Sequence, residues 1–224
     1  MKINISLADD HQLVRKGIRL LLENINGFTV LSEAANGKEL VEQIELREQN
    51  GDMPDIVLID VNMPIMDGGE AVKILRDKYA DLKIVALSVN DELETIRNMI
   101  RKGANAYLFK DSTPEMFEKV LKEVHENGFY YSAEVVKSLT MNEKSAESQH
   151  MRDHYMRLLS TLSAREKEFV ILCCSEKTYK QIGDDMGVSQ HTVHGYRESV
   201  FYKLEIKTRT GLVIFALTTG MVKL

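Results

Sequence analysis

Two hydrophobic rhythms alternate along the first 128 residues. Short apolar, largely β-branched runs fall at Ile3–Ala8, Phe28–Ser32, Asp55–Ile59, Lys83–Leu87 and Ala106–Phe109. Between and after them, apolar residues recur at helical spacing: Leu13, Ile18, Leu21 and Leu22, then Leu40, Val41 and Ile44. Val72, Ile74 and Leu75 follow, then Leu93, Ile96 and Ile100, and last Met116, Val120, Leu121 and Val124. One period places residues on alternating faces of a strand, the other along one stripe of a helix. Five strands, each followed by a helix, predict βαβ crossovers and therefore an α/β fold. Its parallel sheet is doubly wound, with helices on both faces. The run Ile56-Val57-Leu58-Ile59 has no polar alternation, as expected of a strand covered on both sides.

The rhythm changes after Tyr130. The stretch TMNEKSAESQHMRD (Thr140–Asp153) is polar and without proline, glycine or aromatic residues, which reads as a linker or a solvated helix. Beyond about Leu159 the pattern is purely helical. Ser163-Ala-Arg-Glu166 and Thr178-Tyr-Lys-Gln181 have the capping-box spacing that opens a helix. Gly187 stops the second of these helices, and Ser189 caps a third that carries Val193, Val200, Phe201 and Leu204. Thr208 caps a last helix through Leu212, Ile214, Phe215 and Leu217. A short helix, a glycine-containing turn and a second helix form the spacing of a helix-turn-helix. The chain thus divides into an α/β domain (1–128), a linker (129–157) and a small all-α domain (158–224).

Composition adds bounds rather than a function. The 224 residues suit two domains, and no apolar run reaches the ~20 residues that cross a bilayer. The N-terminus lacks the apolar core and cleavage site of a secretory signal, so a cytoplasmic protein is expected. The only cysteines, Cys173 and Cys174, are adjacent and far from any histidine cluster, which reads as helix core rather than disulfide or metal site. Net charge is −5 but unevenly spread. Residues 1–128 hold 16 Lys and Arg against 23 Asp and Glu (−7), 129–157 hold four of each, and 158–224 hold nine against seven (+2). The two halves therefore face different partners, although a bias of +2 does not by itself establish nucleic-acid binding.

The chemistry concentrates where the predicted strands end. In a doubly wound sheet, ligands bind beyond the carboxyl ends of the strands. The first strand ends in Asp9-Asp10, the third in Asp60, the fourth in Ser88 and the fifth in Lys110. Any one of these suits a solvated strand end, but together they fit a single chemistry. Crowded carboxylates favour a hard divalent cation such as Mg2+. A carboxylate beside it can attack phosphorus and form an acyl phosphate. A hydroxyl and a lysine then meet the phosphoryl oxygens.

On these residues the first 128 positions resemble the receiver domain of two-component response regulators, a flavodoxin-like (βα)5 fold. The motifs are LADDH, LIDVNMPIMDG, ALS and AYLFKD. The segment from LSAREKEFVIL to TYKQIGDDMGVSQHTVHGYRESVFYKL resembles the LuxR-type helix-turn-helix, and the pair in this order resembles the NarL/FixJ family. The resemblance implies a transcription factor rather than an enzyme, one that promotes only its own phosphotransfer and dephosphorylation. Asp60 would take a phosphoryl group from a sensor histidine kinase. Asp9 or Asp10, Asp60 and the backbone carbonyl of Asn62 would hold Mg2+. Ser88 and Tyr107 would act as the switch pair, Tyr107 following Ser88 from exposed to buried, with Lys110 as counter-ion. In the second domain, Gln190, His191, Thr192, His194, Gly195 and Arg197 would lie near the bases of promoter DNA, and Lys203 near a phosphate. A homodimer on phosphorylation, through the helix Thr208–Thr219, is also implied, against the simpler reading of that helix as core.

The sequence departs from the family pattern in places. Val89 stands after Ser88 where alanine is frequent, and its bulk beside the phosphoryl group predicts a long-lived phospho-form. His194 replaces a usual Lys or Arg, Tyr196 a frequent His, and Glu198 a common basic residue. These departures keep a second function open, a phosphorylation-controlled module whose helical tail binds protein. An aspartate-based phosphatase fits poorly, because its general acid two residues after the nucleophile would be Asn62.

Overall fold

The computed structural model describes residues 2–89, 93–130, 146–175 and 177–222. It forms two compact units, Met1–Tyr131 and Ser132–Leu224. The first runs β1 (Ile3–Ala8), α1 (Gln12–Asn24), β2 (Phe28–Ala34), α2 (Gly37–Asn50), β3 (Ile56–Asp60) and α3 (Gly68–Lys78). It continues through β4 (Lys83–Ser88), α4 (Leu93–Lys102), β5 (Ala106–Phe109) and α5 (Pro114–Asn127). All five strands pair in parallel in the order β2-β1-β3-β4-β5.

Alternation along the strands decides which helices cover which face. Ile5, Leu7, Ile56, Leu58, Val85 and Leu87 share one core with Ile18 and Leu22 of α1 and with Phe117, Val120, Leu121 and Val124 of α5. Their sequence neighbours Val57, Ile59, Ile84 and Ala86 are equally buried and point to the opposite face. There α2, α3 and α4 lie side by side and bury Leu40, Ile44, Val72, Leu75, Ile96 and Ile100. Strand β3 is buried at every residue, as its unbroken apolar run requires. Local signals open the helices: Asn36, Asp67 and Thr113 each accept a hydrogen bond from the backbone three residues on.

The second unit comprises α6 (Ala146–Leu159), α7 (Ala164–Cys173), α8 (Tyr179–Met186), α9 (Gln190–Leu204) and α10 (Arg209–Thr218). Both expected capping boxes form, at Ser163/Glu166 and Thr178/Gln181. Gly187 ends α8 with φ 65°, a left-handed conformation that suits glycine. One core gathers Phe169, Val170, Ile182, Val193, Val200, Leu204, Leu212 and Phe215.

The strands β3 and β4 end on Asp60 and Ser88, as the strand-end reading expects, while β2 runs on past Ser32 to Ala34. Of the two readings of the polar stretch Thr140–Asp153, linker or helix, its second half takes the helical one from Ala146 onward, while residues 131–145 lie outside the described residues. Tyr155, Leu158 and Leu159 of α6 pack on the second core, with the Tyr155 ring 5.1 Å from that of Phe215. These three apolar side chains follow the polar run, near the end of the helix, and they dock it.

Candidate functional site

The switch point of the sheet lies between β1 and β3, where successive connections leave in opposite directions. Asp9 follows β1 directly and Asp60 closes β3, so the topology sets two buried carboxylates side by side. The loop after β5 brings the third group. The Lys110 amide donates to the Ser88 carbonyl at 2.8 Å, which carries the side chain past the end of β4. Its Nζ then lies 2.6 Å from Asp9 Oδ2 and 2.7 Å from Asp60 Oδ2.

Burial pushes the Asp60 carboxyl above the ordinary aspartate value. Lys110 opposes that, the neighbouring Asp9 charge adds to it, and the Asn62 amide, 3.4 Å from Asp60 Oδ1, offsets only a little. Burial alone would pull the Lys110 ammonium down, but the two carboxylates outweigh it and hold the group above its usual value. A lysine clamped as a cation between two carboxylates neutralises only one of the charges.

The remaining acidity fits a cation. One ligand atom each from Asp9, Asp10, His11 and Asp60 falls within 4.8 Å of the others. Asp9 Oδ2 and Asp10 Oδ1 are buried and accept no aligned hydrogen bond. Lys110 Nζ lies 2.6 Å from the first of these oxygens, and His11 Nδ1 2.7 Å from the second. Buried oxygens of this kind suit a hard divalent ion. Asp9 Oδ1 is already occupied by the His11 amide at 2.8 Å.

The loop after Asp60 is bent back hard upon it. The Gly68 amide donates to the Val61 carbonyl at 2.9 Å, and a Cβ on Gly68 would stand 2.1 Å from the Asp60 carbonyl oxygen. Only glycine permits that approach. Ile65, at φ 68° and 79% exposed, holds a left-handed conformation that β-branched residues rarely adopt. Ser88 is buried, and Tyr107 is also buried, edge-on to Phe109 with ring centroids 5.6 Å apart. Val89 is instead 80% exposed.

In the second unit the residues expected near DNA separate into three groups. Gln190, His191, Thr192 and Gly195 are exposed along α9, with Ser189 capping the helix at the Thr192 amide. His194 and Arg197 are half-buried on its flank. The His194 ring tilts against Tyr179 at 5.8 Å, and the Arg197 guanidinium stands over Tyr179 and Phe201 at 5.9 and 5.4 Å. Lys203 is the correction. Its Nζ is held by both oxygens of buried Glu166, at 2.7 and 2.8 Å, so it braces α9 against α7 rather than reaching outward.

Residues 5–122 match the model of the response regulator receiver domain, and residues 160–216 that of the bacterial regulatory proteins of the luxR family. The chain belongs to the response regulators. Over 99% of its length and 96% of the relative's, it is 29% identical to the transcriptional regulatory protein DegU of Brevibacillus brevis. It is 32% identical to the transcriptional regulatory protein YdfI of Bacillus subtilis (strain 168), over 97% of the chain and 96% of the relative. Among solved structures it resembles a two-component response regulator of the LuxR family from Aurantimonas sp. SI85-9A1. The two are 27% identical with a TM-score of 0.54, covering 62% of this chain and 95% of that one. This response regulator thus joins a receiver to a LuxR-type DNA-binding domain, and it is a regulator of transcription. Among its described residues, no helix is long and apolar enough to cross a membrane.

Sequence reasoning missed two features of the regulator. His11 joins the carboxylates, and its only signal was adjacency to Asp9-Asp10. Glu166 was read as a cap alone, because nothing in the sequence reveals a partner 37 residues away.

Proposed function

We propose that this response regulator stores its signal as an acyl phosphate on Asp60. The phosphoryl donor is the phosphohistidine of a sensor kinase. An Asp60 oxygen attacks phosphorus, the P–N bond breaks, and the leaving imidazole takes the electron pair. Asp9 or Asp10, Asp60 and the Asn62 carbonyl are the ligands for Mg2+, which supplies charge neutralisation for the phosphoryl oxygens. Lys110 keeps its charge throughout. It exchanges an Asp60 carboxylate oxygen for a phosphoryl oxygen, so no uncompensated cation is left buried. Ser88 offers a hydroxyl to the same group, and Tyr107 is the aromatic that responds to it. The phosphoryl group biases a two-state equilibrium by these added contacts.

In the output half, Gln190, His191, Thr192, Gly195, His194 and Arg197 form the DNA-facing surface of α9. The half-buried Val213, Ile214 and Leu217 of α10 are the candidate contact for a homodimer on promoter DNA. Receiver, linker and DNA-binding segments span 1–128, 129–157 and 158–224, and the protein works in the cytoplasm. The observation that carries this reading is Lys110 Nζ within 2.7 Å of two buried carboxylates from different strands. Incubation with acetyl phosphate and Mg2+ should add the mass of one phosphoryl group, and Asp60→Asn should add none. An adduct that persists in that variant overturns the assignment.

A further inference from the structure

The outward face of α9 has an unusual composition for a helix that approaches a polyanion. On a wheel of about 100° per residue, Val193, Val200 and Leu204 point into the core. His191, Gly195, Glu198 and Tyr202 lie within about 40° of the opposite line. All four are exposed, Tyr202 at 86%. The stripe holds no lysine or arginine. The helix's cations sit on its flanks, Arg197 over two aromatic rings and Lys203 bound to Glu166. The Glu198 side chain has no hydrogen bond or ion pair among the described residues. Nothing among the described residues of the domain therefore accounts for a carboxylate on this face.

Gly195 adds an independent observation. A Cβ there would meet nothing within 4 Å, and its backbone is ordinary helix. The fold does not require glycine, which costs about 0.5–1 kcal/mol relative to alanine in mid-helix. The missing side chain leaves a notch one turn before Glu198, where an approaching surface can come closer to the helix axis.

We propose that Glu198 reads a cytosine in the major groove by accepting a hydrogen bond from its N4 amino group, and that the Gly195 notch seats α9 deeply enough for it to reach. This rests on the DNA-binding reading above. Guanine and thymine present acceptors to the groove and repel a carboxylate. Adenine pairs its amino donor with the N7 acceptor, an arrangement suited to an amide. Cytosine alone offers an amino donor without a neighbouring acceptor on its own base. Near phosphates, a carboxylate is penalised at every site that lacks the matching donor, so Glu198 contributes discrimination rather than affinity.

The test is selection from a randomised duplex library by the full-length protein, phosphorylated with acetyl phosphate and Mg2+. The wild type should enrich one cytosine per half-site, preferred by roughly tenfold over the other bases. Glu198→Gln should move that position to adenine, and Glu198→Ala should leave it unread, with all other positions unchanged. On the selected duplex, Gly195→Ala should bind about fivefold more weakly while melting at a higher temperature. A wild-type site with no such cytosine, or identical sites for wild type and Glu198→Gln, overturns the assignment with DNA binding intact. Unchanged affinity in Gly195→Ala overturns the seating role. A wild type that enriches no duplex overturns the DNA-binding reading itself, and the helical tail is then a protein-binding surface.

Discussion

Single residues here divide by whether their role depends on neighbours in sequence or in space. Asp60 and Lys110 were legible because a strand end is a local feature, and each closes or follows one. Gly68 opens α3, and the reason for a glycine there, the Asp60 carbonyl oxygen, comes from the folded chain. Val89 is the residue where bulk and exposure meet. It follows buried Ser88 at the carboxyl end of β4 and is itself 80% exposed. Val89→Ala should speed loss of the phosphoryl group roughly fivefold, equivalent to about 1 kcal/mol in barrier height, read as the half-life of the phospho-form in Mg2+ buffer. An unchanged half-life would remove Val89 from the timing of the signal.

At the scale of elements, the buried Glu166 joins three functions in one carboxylate. It completes the capping box of α7, accepts from Ser199 at 2.6 Å, and holds Lys203 of α9. Burial alone would raise this carboxyl. Lys203, Ser199 and the Ser163 amide outweigh burial and bring it down to about 2, from an ordinary value of 4.5. Because the folded value is depressed, its stabilisation is fully present above about pH 4.5 and is lost as pH falls toward 2. Glu166→Gln should therefore destabilise the second unit by about 1–3 kcal/mol at neutral pH. The difference from wild type should shrink in urea melts at pH 3. A gap that does not narrow with acid would mean that the ion pair is not what joins α7 to α9. The capping box was readable from Ser163 and Glu166 alone, whereas the brace to α9 was not. It depends on how α7 and α9 cross.

Over the whole molecule, every residue of the phosphoryl site belongs to the first unit and every residue of α9 to the second. The helix α6 belongs to the second unit through Tyr155, whose ring tilts against that of Phe215 in the core. Tyr155→Ala should lower the stability of the second unit by about 1–3 kcal/mol. It should leave phosphorylation from acetyl phosphate at its wild-type rate. Loss of phosphorylation in that variant would show that the two units do not fold as separate cores.

The sequence by itself determined the order of strands and helices, the parallel sheet and the strand ends that carry Asp9, Asp60, Ser88 and Lys110. These follow from the periods of burial, and from the rule that parallel strands reached by crossovers end on one rim. It also determined the starts of the helices capped by Ser163, Thr178, Ser189 and Thr208, since a cap and its partner lie three residues apart. Only the tertiary structure decided which side chains on those elements meet. It set Lys110 between two carboxylates, turned Val89 outward, spent Lys203 on Glu166 and left Glu198 facing away from the core. Periodicity specifies a face, but a partner on another element is chosen by crossing geometry and by the cost of leaving a buried charge unpaired.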